Sequence, residues 1–288
     1  MKTALVFGAS GQIGAPLLRR LDDVGWRVFA VSRQVQADTP GLHWLRGDLA
    51  GVEGLPDAVN AVFSCGPLDH FARWHAAAAV RAPRVVAFGS TSASSKQGSG
   101  DAAERDVAKR LQYAESLLFS TGLARGAAVT VLRPTLVYGA GRDQTLSRIA
   151  RLAQEWRRFV LPRRAKGLRQ PVHVDDLADA AWLACQSSAS HGHAYDVPGG
   201  ETLAYRVMVQ RVLACLQPVP PLVELPMPVF RGVLAAAQLR GMAVDLTPGA
   251  LARMRQDLVF NLEPARRDFA YSPRKFHPDA SMFPLVRK

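Results

Sequence analysis

Residues Thr3–Gly14 read TALVFGASGQIG, and this stretch decides the fold. Its first five residues are apolar and β-prone. The last seven spell G-x-x-G-x-x-G directly before a segment whose apolar positions, Ile13, Leu17, Leu18 and Leu21, recur at helical spacing. Gly25 then stops the helix, as a glycine just past the last turn does. Glycines let the chain turn tightly and approach a ligand closely, and the first N–H groups of the helix face an anion with the positive end of its dipole. A glycine triplet alone is a weak signal. In this strand-turn-helix setting it predicts a dinucleotide site, with the pyrophosphate held at Gly8, Ser10, Gly11, Gln12, Ile13 and Gly14.

Outward from that turn, short β-branched runs alternate with helical segments. Strands are predicted at Arg27–Ser32, His43–Arg46, Ala61–Ser64, Val85–Phe88 and Val129–Arg133, with a late helix at Val172–Cys185 and a strand at Ala194–Val197. Nearly continuous apolar strands separated by helices predict an α/β protein, a doubly wound parallel sheet covered on both faces. From about Gly139 the pattern changes to helices, Arg-rich connections and the prolines Pro218, Pro220, Pro221, Pro226 and Pro228. The expected division is therefore 1–139 plus about 170–198 for the dinucleotide-binding domain. A smaller, mostly helical C-terminal substrate lobe takes about 140–169 and 199–288, interleaved with it.

Of the 288 residues, 48% are hydrophobic and 21% charged, enough apolar material for a substantial core and too much for a disordered chain. No apolar run reaches the 18 or so residues of a spanning helix, so no integral membrane contact is expected. The first residues are too short an apolar run for a signal peptide, which predicts a cytoplasmic protein. Cys65, Cys185 and Cys215 lie far apart, without metal-ligand spacing, and read as free thiols rather than a disulfide set or a metal site. His191-x-His193 has no acidic or cysteine partner nearby and reads as a solvated turn. The net charge is +12, and the stretch 125–169 alone holds eleven Arg and Lys against Asp143 and Glu155. Such a field favours an anionic partner. With no nucleic-acid motif or interleaving of aromatic and basic residues, the expected partner is a small-molecule substrate, anionic or partly apolar, and not a nucleic acid. A monomer or homodimer is expected.

The G-x-x-G-x-x-G spacing resembles that of the short-chain dehydrogenase/reductase superfamily, in particular its extended and atypical members, the NAD-dependent epimerases and dehydratases. The resemblance runs through nearly the whole chain. Gly47-Asp48-Leu49 looks like the family's adenine-contacting loop, and Val62–Gly66, ending in Cys65 and Gly66, like the strand end beneath the cofactor. Arg133-Pro134-x-x-x-Tyr138-Gly139 is similar to the segment beside the nicotinamide. His173–Ala178 looks like the start of a late helix, and Ala265–Asp268 with Tyr271 and Pro273 like the closing segment. The resemblance implies a Rossmann fold, a nicotinamide nucleotide and chemistry at a carbonyl or carbinol carbon.

An NAD site needs a carboxylate at the end of the second strand for the ribose 2′-hydroxyl. Ser32 and Arg33 stand there instead, and a hydroxyl with a guanidinium suits a 2′-phosphate, so NADP is expected over NAD. The family's substrate-orienting hydroxyl falls at Thr91, after Phe88-Gly89-Ser90. The family's Tyr and Lys, four residues apart on the next helix, are absent: counting back from Ala114-Glu115-Ser116-Leu117-Leu118 puts Val107 and Leu111 in their places. Lys109 and Tyr113 are four apart in reversed order, about 200° round the helix, and read as a surface pair. Any proton must then come from Thr91, Ser90, Tyr138, the substrate or water. Two functions follow. One is an atypical NADP(H)-dependent oxidoreductase or epimerase without the Tyr-Lys dyad. The other is a catalytically silent NADP(H)-binding sensor or assembly subunit.

Overall fold

The structure is a computed structural model and describes residues 1–143, 145–239 and 248–283; the parts of the expected second lobe at Gln144, 240–247 and 284–288 lie outside it. The chain divides into two compact units. The first comprises Met1–Thr135, Val172–Pro198 and Phe260–Arg274, and the second Leu136–Pro171, Gly199–Val259 and Lys275–Lys288.

In the first unit the strands β1 (Thr3–Phe7), β2 (Arg27–Ser32), β3 (Leu42–Arg46), β4 (Ala61–Ser64), β5 (Arg84–Phe88) and β6 (Ala128–Pro134) join the strand His193–Val197 in one parallel sheet. Its order is His193–Val197, β6, β5, β4, β1, β2, β3. The chain leaves β1 for β2 and β3 on one side and crosses to β4 on the other, so the switch point lies between β1 and β4. Ligands of doubly wound sheets bind there, beyond the carboxyl ends of the strands. Nearly continuous apolar runs form the central strands β1, β4 and β5 because both of their faces are covered: Ala4, Leu5, Val6 and Phe7 are all buried.

One face packs Leu5, Phe7, Val62 and Val131 of the strands with Phe71 of α2 (Leu68–Ala77) and Leu118 of α4 (Ala102–Ala124), the short α3 (Ser92–Ser95) lying between these helices in sequence. On the other face α1 (Gly14–Asp23) lies along the helix Val174–Gln186, and Trp26 meets Trp182 edge-on at 5.3 Å. Leu17 and Leu21 are fully buried. Truncating either to alanine costs about 2–5 kcal/mol.

The segment Phe260–Arg274, expected in the second lobe, returns to the first unit. Polar anchors hold it there. Tyr271 donates to the Pro198 carbonyl at 2.8 Å, Tyr195 to the Asp268 carboxylate at 2.7 Å, and Arg274 Nε to the buried Asp176 at 2.7 Å. The sequence offers no long apolar run to announce this return, because side-chain hydrogen bonds rather than a strand make it.

The second unit packs the helices Leu146–Trp156 and Tyr205–Ala214 around Tyr138, Met208, Val209, Val212 and Phe276. Asp143 starts the first of these helices by accepting from the amides of Thr145 and Ser147, each at 3.0 Å, and from Leu146. Short strand pairs accompany the helices: Leu168–Arg169 with Leu203–Ala204, and Phe159–Pro162 with Leu222–Leu225. The buried Arg169 donates to the carbonyls of Leu168, Gln256 and Arg253 and lies 5.3 Å over the Tyr205 ring.

Candidate functional site

In a parallel sheet every strand ends on the same side, so the predicted site residues of the first unit gather at one rim. The glycine turn comes first. Gly8 has φ +68°, and a Cβ there would lie 3.0 Å from the Cys65 carbonyl carbon, so the turn sits hard against the exit of β4. At Gly14 a Cβ would fall 2.1 Å from the Gly8 oxygen, which only glycine avoids. Gly11 N–H closes the turn on Gly8 O at 2.9 Å. The amides of Gln12 and Ile13 have no acceptor among the described residues, and Gln12 carries a buried side-chain oxygen without a partner. Unspent donors at a helix start, with backbone that can be approached closely, fit a pyrophosphate.

At the end of β2, Ser32 is buried. Its Oγ lies 3.4 Å from that of Ser10 and accepts from the Gln34 amide at 3.1 Å. Arg33 is exposed beside it. The nearest carboxylate in sequence, Asp38, is engaged with the Trp44 amide at 2.7 Å and the His43 ring. Those contacts hold it below the ordinary aspartate range, the Trp44 amide foremost. Beyond β3, Asp48 accepts from Ala50 N at 2.8 Å, and Leu49 reaches the Cα of Gly66 closely enough that a Cβ there would sit 3.2 Å away. Burial pushes the Cys65 thiol up to about 12, so it is no nucleophile at neutral pH.

The exits of β5 and β6 carry the predicted chemistry. Thr91 is 7% exposed; its amide and its hydroxyl both donate to Pro134 O, at 3.2 and 3.1 Å. The Ser90 Oγ, half-buried, accepts from Ser92 N at 3.1 Å. Gln112 of α4 donates to Ala93 O at 2.7 Å and ties that helix to the same loop. On α4, Val107 and Leu111 share the inward side with the buried Ala108 and Glu115, whereas Tyr113 is 69% exposed. Lys109 and Tyr113 line a surface cavity of about 260 Å³ between α2 and α4, together with Asp69, Arg73 and Arg110. They form a surface pair, away from the strand ends. Tyr138 belongs to the second unit, where its ring is buried edge-on to Phe276 at 4.9 Å. Among the described residues no cluster of His, Cys, Asp or Glu could hold a metal ion.

A charged cluster escaped sequence reasoning. Arg133 binds Glu115 with two nitrogens, Nε to Oε1 at 2.8 Å and Nη2 to Oε2. Glu115 drives the Arg133 pKa further up, chiefly through that hydrogen bond. Asp196 stands beside Arg133 in register, and one of its buried oxygens has no hydrogen-bond partner. Burial raises the Asp196 pKa, with the Arg133 charge opposing it and Glu115 adding to it. The available signal was a charged residue ending each of two apolar strands and a Glu on the inward side of a helix. Eighteen residues separate Glu115 from Arg133, so no local spacing joins them.

Comparison with known proteins bears out the resemblance read from the sequence. Residues 73–197 match the model of the NAD dependent epimerase/dehydratase family. A 2-alkyl-3-oxoalkanoate reductase of Stenotrophomonas maltophilia is 26% identical over 94% of this chain and 94% of its own length. Among solved structures, an epimerase of Methanothermobacter thermautotrophicus superposes with a TM-score of 0.70 at 14% identity, covering 98% of this chain and 90% of that one. The UDP-glucuronic acid 4-epimerase of Bacillus cereus, in complex with UDP-glucuronic acid and NAD, gives a TM-score of 0.70 at 13% identity over 94% of both chains. The fold is thus the Rossmann-like one of these enzymes, and the family binds NAD(P). No helix among the described residues is long and apolar enough to cross a membrane.

Proposed function

We propose that this chain, which carries the NAD-dependent epimerase/dehydratase family's domain over residues 73–197, is an atypical NADP(H)-dependent oxidoreductase. The amides of Gln12 and Ile13, with Gly8, Gly11 and Gly14, would hold the pyrophosphate, Asp48 and Leu49 the adenine, and Cys65, Gly66, Arg133 and Pro134 the nicotinamide end. Ser32 and Arg33 would hold the 2′-phosphate. The observation that carries NADP over NAD is the end of β2: a buried hydroxyl and an exposed guanidinium stand there, and Asp38 is already engaged.

NADPH supplies a hydride. Around it the chain offers a hydroxyl pair, Ser90 and Thr91, to position the oxygen of a carbonyl or carbinol, and the apolar Val107 and Leu111 in place of a phenol and an ammonium. The substrate proposed is a small 3-oxo acid with alkyl substituents. The reductase relative acts on such a compound by its name, and the Arg-rich stretch 125–169 favours an anion. The second unit then serves as the substrate lobe. Three free thiols suit the reducing cytoplasm.

The second reading, a silent NADP(H)-binding subunit, rests on Val107 and Leu111. Fluorescence titration with NADPH and NADH side by side tests the cofactor, with NADPH binding at least tenfold tighter. NADPH oxidation in the presence of a synthetic 2-alkyl-3-oxoalkanoate tests turnover. Tight NADPH binding without oxidation favours the silent reading, and no affinity for either nucleotide overturns both.

A further inference from the structure

A carbonyl oxygen, and the alkoxide it becomes, can only accept hydrogen bonds, so the group that positions it must have a proton to give. Resemblance points to Thr91, but its hydroxyl proton is spent. Thr91 Oγ1 donates at 3.1 Å to the Pro134 carbonyl, a buried bond that doubles the one its own amide makes to the same oxygen at 3.2 Å. Together they lock the exit of β5 to that of β6. Ser90 is the reverse case. Its oxygen receives the Ser92 amide proton at 3.1 Å, and its own proton has no acceptor among the described residues. The residue stands half-buried two positions past the end of β5, where Ala93 N–H binds Ser90 O at 3.0 Å and the Gln112 amide clamps Ala93 O at 2.7 Å. A hydroxyl whose lone pair is engaged by a backbone amide is an oriented, polarised donor.

We propose that Ser90, and not Thr91, is the catalytic residue that hydrogen-bonds the substrate oxygen, with Thr91 acting as a structural pin between β5 and β6. This rests on the reductase reading above. As the carbonyl carbon gains hydride, the C=O π pair moves onto oxygen and is held by the Ser90 O–H. Water then delivers the proton and leaves as hydroxide. The alcohol and the oxidised nucleotide are the remaining products, and Ser90 keeps its own proton.

The test uses the full-length chain with NADPH and a synthetic 2-alkyl-3-oxoalkanoate, beside thermal melting without substrate. Ser90→Ala is expected to lower kcat about a hundredfold while leaving NADPH affinity unchanged and lowering Tm less than Thr91→Val does, since the bond it loses from Ser92 N is only part-buried, and Ser90→Thr to restore most of the rate. Thr91→Val is expected to lower Tm by about 3 °C or more, through the lost buried hydrogen bond, and to keep kcat within about fivefold. Thr91→Ser, which retains the hydroxyl, covers the case in which the valine variant fails to fold. The opposite pattern, a Ser90→Ala enzyme at wild-type speed and a Thr91→Val enzyme that melts normally but is inactive, overturns the assignment. Should the wild-type chain bind NADPH yet reduce no oxo acid, the functional reading fails separately. The melting comparison then decides alone: Ser90→Ala as damaging to Tm as Thr91→Val makes Ser90 structural and refutes the proposal.

Discussion

Replacing Gly14 by alanine adds one methyl group at the point where the glycine turn becomes α1. Its carbon would lie 2.1 Å from Gly8 O, 2.6 Å from Ala9 O and 2.7 Å from Ala9 Cα. All three are backbone atoms and no rotamer change relieves them. The nearest contact is more than an ångström short of ordinary van der Waals separation, so the turn must move bodily. Forcing one carbon into a packed site costs about 1–3 kcal/mol, and backbone obstacles put this case at the upper end. If about 2 kcal/mol is felt where the Gln12 and Ile13 amides face the ligand, the Kd for NADPH rises about thirtyfold. A loss of about 3 kcal/mol in stability lowers Tm by roughly 6–12 °C. Gly98→Ala, with nothing within 4 Å of the added carbon, is the matched control and should be silent in both assays. Fluorescence titration and thermal melting of the two variants settle the matter. A Gly14→Ala protein that binds NADPH and melts like wild type would refute the claim that this turn is a close-approach cradle.

Three further outcomes are expected. Burial and the neighbouring Arg125 charge lower the His75 pKa from 6.5 to about 4, so on acidification the unfolded chain takes up a proton that the folded chain refuses. Stability is full above about pH 6.5 and declines toward pH 4 by up to about 3 kcal/mol; urea midpoints at pH 7 and pH 5 should differ more for wild type than for His75→Gln. Glu115→Gln leaves the Arg133 guanidinium without its two-point carboxylate, on a side chain 26% exposed, and should cost about 2–3 kcal/mol by chemical denaturation; a loss below about 0.5 kcal/mol would mean that Asp196 already serves as the partner. The double variant Val107→Tyr with Leu111→Lys places an acid and its cation on the inward side of α4. It should raise oxo-acid reduction at least tenfold, whereas an added lysine that reacts with amine reagents as fast as Lys109 would show the helix register to be wrong.

The centre of the sheet was legible because its strands there are nearly continuous apolar runs: β1, β2 and β4 begin and end where the sequence places them. Helical periodicity located α1, and the turn of a helix counted back from Ala114–Leu118 separated Lys109 and Tyr113 from the inward side of α4. Pairs of two residues such as Leu168–Arg169 were illegible, since no period can be read from two positions. The return of Phe260–Arg274 was illegible for another reason: hydrogen bonds from Tyr271 and Arg274 to groups 73 and 98 positions earlier leave no local pattern. At the site, residue types showed where hydroxyls stand but not which proton is free. That distinction lies in the 3.1 Å bond from Thr91 to Pro134, which joins positions 43 apart.

The first unit draws on three stretches of chain, the last ending at Arg274. During synthesis β6 therefore leaves the ribosome about sixty residues before the strand that covers its edge, and far ahead of the segment that fastens the helix Val174–Gln186. Until then its open hydrogen-bonding groups invite pairing with another nascent chain. A nucleotide-binding half cannot be excised at residue 135 and expected to stand alone. Anyone grafting it onto another scaffold must carry over all three stretches or supply a substitute for the missing edge.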